Sequence, residues 1–153
     1  MRQRLRRVLP GVWAGLLLGI ALVAAPAAFS VLPGADAGRI VSRLFIREAW
    51  LSLAVAAALL MLERGRADHS TPREGAARFG NVRLLWATMV CTLLGYFGVQ
   101  ALLPAARAGQ GMFSFAQLHG FSVVCYALKT LLVLLLAWRA TRESGDVSRP
   151  LAS

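Results

Sequence analysis

Residues 115–138 read FAQLHGFSVVCYALKTLLVLLLAW, and Lys129 is their only charge. The hydrocarbon core of a bilayer is about 30 Å thick and takes about 20 helical residues to cross. This stretch is long enough, and it lacks the period-two alternation of a barrel strand. Backbone groups in lipid must bond within their own segment, so it reads as a transmembrane helix.

Three more apolar blocks precede it. Residues 8–35 carry no charge, and 9–30 forms a natural span. The block 44–62 is charge-free only over 49–62, which places Arg47 and Glu48 near an interface or against protein. The block 84–103 is expected to stop at Pro104, where a helix tends to end. The expected fold is all-α, an integral membrane four-helix bundle. It fills residues 1–141, with helices at about 9–30, 44–62, 84–103 and 115–138, followed by a disordered cytoplasmic tail at 142–153.

Composition agrees. Hydrophobic residues make up 58% and charged residues 16% of the 153, against roughly 25% charged in an ordinary soluble domain. That excludes disordered, collagen-like and disulfide-stapled classes. The net charge of +10 would suggest nucleic acid in a soluble protein. Here the basic residues sit at the ends of apolar blocks and no nucleic-acid-binding motif occurs, so no nucleic-acid partner is expected.

The arginines set the orientation. Arg2, Arg4, Arg6 and Arg7 precede helix one, Arg64, Arg66, Arg73, Arg78 and Arg83 join helices two and three, and Arg139, Arg142 and Arg149 follow helix four. The other two connections hold only Arg39, Arg43, Arg47 and Arg107. Both termini and the middle segment are therefore expected in the cytoplasm. Trp13, Trp86 and Trp138 would mark the cytoplasmic interface, with Trp50 nearer the other side. The polar segment 63–83, with Gly65, Pro72, Gly75 and Gly80, reads as a flexible linker. Residues 1–28 also fit a secretory leader, but Pro26 is unfavourable at the cleavage point, so helix one is expected to stay.

Gly11, Gly15 and Gly19 recur every fourth residue, a spacing that lets two helix backbones approach closely. Packing against helix two or four is the ordinary reading; a homodimer through the same face is the sharper one. Ala54, Ala56, Ala57 and Ala58 offer a complementary small surface on helix two, as do Gly95 and Gly98 on helix three. Pro26 should kink helix one.

On helix four, His119, Ser122, Tyr126 and Lys129 fall within about 80° of one another. Such a stripe should face the bundle interior or a wet cavity. Lys129 lies roughly 15 Å deep, where a charge costs about 2.5 kcal/mol or more. Glu48 is the nearest carboxylate in depth. Three readings stay open: a neutral or snorkelling lysine, a Lys129–Glu48 pair that fixes helix register, and a proton- or substrate-handling role.

His119 is the only histidine in an apolar block, so bis-histidine haem ligation within one chain is excluded, and zinc spacings are absent. No cofactor or metal is expected. Cys91 and Cys125 differ in expected depth by roughly 9 Å, beyond disulfide reach, and read as packing residues. Arg39, Arg43 and Arg47 would line one face of an outer amphipathic extension, contacting lipid phosphates or forming an anion vestibule beside Gln100, Gln117 and His119. No GxSxG, Walker loop or HExxH occurs, and Ser30, Ser52 and Ser122 read as ordinary helix serines.

The motifs Trp13-x-Gly15, Pro26-x-x-Phe29, Ala37-Gly38, Phe45 and Leu118-His119-Gly120-x-Ser122, in that order, resemble a bacterial domain of unknown function that is similar to eukaryotic transmembrane protein 205. The resemblance covers about 8–139. It implies a four-helix inner-membrane protein, whose eukaryotic relatives are associated with drug resistance and vesicle traffic. Members of that family often have Asn where this chain has Tyr126, so a shared polar site would differ here.

The leading functional expectation is a non-enzymatic inner-membrane scaffold or accessory protein. Its partners would be the lipid bilayer and a second copy or another membrane protein. The alternative is a small transporter or resistance factor using Glu48, His119, Ser122, Tyr126 and Lys129. A membrane redox protein comes third.

Overall fold

The computed structural model describes residues 1–65 and 72–145. Helix one comprises α1 (Arg2–Gly19), a π-helical segment (Ile20–Ala24) and α2 (Ala25–Val31). Helix two is α3 (Gly34–Arg64). Helix three comprises α4 (Pro72–Thr92), a second π-helical segment (Leu93–Gly98) and α5 (Val99–Arg107), and helix four is α6 (Phe115–Gly145). All four are long and apolar enough to cross a membrane.

Local chemistry explains where the helices start and stop. Pro26 falls in the first turn of α2, where a missing N–H loses least. The helical path continues through it, and the site expected to kink is preceded by the wider π turn. Leu32 is extended, and Pro33 opens α3 by accepting the N–H groups of Asp36 and Ala37 at 2.9 and 3.0 Å. Asp36, in the first turn, complements the positive end of the helix dipole. Helix four begins with a capping box. The Gln117 N–H donates to Ser114 Oγ at 3.2 Å, and the Ser114 N–H donates to Gln117 Oε1 at 2.9 Å.

Helix three does not stop at Pro104. It runs to Arg107 and ends on Gly109, the one positive-φ glycine among the described residues, at φ 67°. The Gly109 N–H reaches Ala106 O and the Gln110 N–H reaches Ala105 O, which is a Schellman motif. The glycine just past the end was a better stop signal than the proline.

Within the segment 63–83, residues 72–83 are helical where a linker was expected. Pro72 opens α4 at the first helical position, where its fixed φ suits the helix. Gly75 and Gly80 are carried within the helix. Helix four runs on through 142–145, where the tail was expected to begin, while Arg66, His69 and residues 146–153 with Arg149 lie outside the described residues.

The helices form a ring in which one packs on four and two, and three packs on four and two. The main core joins Trp13, Leu17, Leu59, Leu85, Val133 and Leu136. It sits in the half of the bundle near the two termini. Trp13 is 2% exposed and so is no interface marker, whereas Trp86 and Trp138 are half exposed.

The glycine stripe is not what packs helix one. Its neighbours meet Trp13, Ala14, Leu17 and Ile20 instead. A Cβ at Gly11, Gly15 or Gly19 would meet nothing within 4 Å, so packing within the chain does not use that face. The close approach occurs at Gly95, where an added Cβ would collide with Cys125 Cβ on helix four.

Candidate functional site

Helix four points Lys129 inward, and helix two presents Glu48 at the same level. Lys129 Nζ donates to both Glu48 oxygens, at 2.8 and 2.9 Å. Each residue is 3% exposed. In an apolar interior, two such charges are tolerated when they are paired and their remaining hydrogen-bonding capacity is satisfied.

Two residues that the sequence reading left aside complete the arrangement. Ser52, one helical turn beyond Glu48 on the same face, donates its hydroxyl proton to Glu48 Oε1. Trp13 on helix one donates its indole N–H to Ser52 Oγ at 2.9 Å. The chain Trp13–Ser52–Glu48–Lys129 therefore ties together helices one, two and four. The available signal was the i, i+4 spacing of Glu48 and Ser52; the indole donor could not be read from spacing.

Tyr126 frames the pair. Its ring lies 4.6 Å from Lys129 Nζ, a cation–π distance. Its hydroxyl donates to Leu17 O at 2.9 Å, and Phe45 meets it edge-on at 5.2 Å. Leu17 immediately precedes the turn that leads into the first π segment, so this bond anchors helix four to helix one where the α ladder changes.

The stripe divides at the N-terminal end of helix four. Ser122 is half-buried, and His119 is exposed and stacks on Phe115 at 6.0 Å. The inward line runs through Leu118, Lys129, Val133 and Leu136. His119 lies about 60° or more to one side of that line, at the helix end where neighbours thin out. It is not part of the interior site. Arg39, Arg43 and Arg47 are exposed along α3, with Arg39 paired to Asp36. Gln100 is exposed, and Gln117 is used in the cap.

A second buried ion pair lies near the termini. Arg6 Nε donates to Glu63 Oε1 at 3.2 Å. No cluster of three or more His, Cys, Asp or Glu residues suited to a metal occurs among the described residues. Both cysteines are free thiols.

A family model described as a domain of unknown function (DUF4149) matches residues 8–112. No curated protein and no solved structure matches the chain. The matched region holds helices one to three and stops short of the 115–138 stretch, so it covers less than the expected 8–139. The central ion pair therefore joins the matched region, through Glu48, to a helix beyond it, through Lys129.

Proposed function

The chain belongs to the family described as a domain of unknown function (DUF4149), and we propose that it is a multi-pass bacterial inner-membrane protein with both termini cytoplasmic, acting as a non-enzymatic scaffold or accessory to another membrane system. Four apolar helices and the distribution of arginines support the membrane placement and the orientation. The resemblance to transmembrane protein 205, carried by the order of motifs, belongs to this proposal.

The observation that carries the scaffold reading is the closed state of the central pair. Both Glu48 oxygens are engaged, and lysine and carboxylate are nearly inaccessible. A pair that binds cargo needs one partner open to exchange; this one is engaged by Ser52, itself held by Trp13, and by the Tyr126 ring. It acts as a lock on helix register. No catalytic role is assigned to any residue.

The transporter reading rests on one observation, the presence of ionisable groups deep in an apolar bundle, which by default marks a pathway. The double variant Glu48→Leu/Lys129→Leu separates the two. For a lock, it is folded and complements a deletion strain as well as the native protein. For a proton or substrate path, it is folded yet fails to complement. For the orientation, a cysteine placed within 65–80 should resist a thiol reagent confined to the periplasm. Labelling there would reverse the topology.

A further inference from the structure

A cavity of about 60 Å³ opens among the helix ends near the termini. Arg6 and Arg7 of α1, Glu63 of α3 and Asn81 of α4 line it, above a floor that includes Leu85 and Leu136. Glu63 is 5% exposed and Asn81 is 9% exposed. Among the described residues, Glu63 Oε2 and Asn81 Oδ1 are buried and receive no hydrogen bond. Buried acceptors without donors are rare in folded proteins and call for an explanation. Arg6 Nε donates to the other Glu63 oxygen, Oε1.

The level of the cavity narrows the choice of donor. Leu85 and Leu136 form part of its floor, and the neighbouring Trp86 and Trp138 are 50% and 51% exposed. Exposed tryptophans at the ends of apolar helices belong at the headgroup belt of a bilayer. A missing donor at that depth, beside a carboxylate, fits a cation with N–H groups. The exposed Arg7 at the rim fits a phosphate next to it. The volume is several times the roughly 10–15 Å³ that one water needs, enough for an aminoethyl group.

We propose that this cavity binds a primary ammonium carried beside a phosphate, the headgroup chemistry of an aminophospholipid. The ammonium donates to Glu63 Oε2 and Asn81 Oδ1, and the phosphate faces Arg7. The inference rests on the membrane reading above and adds a site to it.

Native mass spectrometry of the full chain, given equal amounts of phosphatidylethanolamine, phosphatidylcholine and phosphatidylglycerol, tests it. Phosphatidylcholine keeps the phosphate and the positive charge but has no N–H. Retention of phosphatidylethanolamine about tenfold or more above both others is expected, the effect of at least one charge-assisted hydrogen bond. Glu63→Gln, which keeps the shape, should cut that preference severalfold, and Asn81→Leu should abolish it. Soluble phosphoethanolamine that displaces the lipid would show that the headgroup alone suffices. A preference that resists displacement would assign the lipid as the source. Equal retention of the three lipids by the native chain overturns the site, as does an undiminished preference in Glu63→Gln. Either result with the chain still firmly in the membrane fraction sinks this inference alone; a chain found in the aqueous fraction sinks the membrane reading instead.

Discussion

Helix two presents two buried carboxylates about four turns apart, and the bundle treats them differently. Glu48, in the middle, has both oxygens engaged by lysine and a serine behind it. Glu63, at the end near the termini, shares one oxygen with Arg6 and leaves the other open to a cavity. Depth accounts for the contrast. Far from water, an unsatisfied charge is very costly, so the central pair must be complete within the protein. At the end of the bundle, solvent or, in the membrane placement proposed above, a lipid headgroup can supply what the chain does not.

The sharpest way to break this comparison is to remove one central partner. Lys129→Leu leaves Glu48 buried without its cation and should destabilise the purified protein by about 3–5 kcal/mol. Thermal melts in detergent check this, and pairing it with Glu48→Leu should recover most of the loss. If the single variant melts like the native protein, the pair is not a lock.

Gly95→Ala should come next, at about 1–3 kcal/mol, because the new methyl meets Cys125 with no free space. The same substitution at Gly15 should be neutral or slightly stabilising, up to about 1 kcal/mol, from helix propensity alone. A loss at Gly15 greater than at Gly95 would mean that the glycine stripe meets a partner. Ser52→Ala takes one donor from Glu48 and the acceptor from Trp13 and should cost about 1–3 kcal/mol. Tyr126→Phe removes only the hydroxyl bond to Leu17 O, at about 0.5–1.5 kcal/mol. Denaturant titrations on the same preparation would rank the two.

Much of the bundle was legible because hydropathy and length are local properties. Lys129 and Glu48 stood out by being charges in apolar blocks. Trp13 and Ser52 did not, since an indole can mark a headgroup belt or fill a core, and only its neighbours decide. The glycine triplet on helix one had the spacing of a packing face, yet the contact formed at Gly95, a position with a weaker pattern. His119 shared the angular sector of the stripe but sat too near the helix end to be covered.

The helix count and the charges that had to be neutralised follow from the sequence alone, because each is fixed by the cost of placing a given side chain or backbone group in an apolar medium. The order of the helices around the ring, the assignment of Ser52 and Trp13 to Glu48, and the open acceptors on Glu63 and Asn81 were decided by tertiary structure. They depend on which faces meet at which depth, and residues far apart along the chain set that jointly.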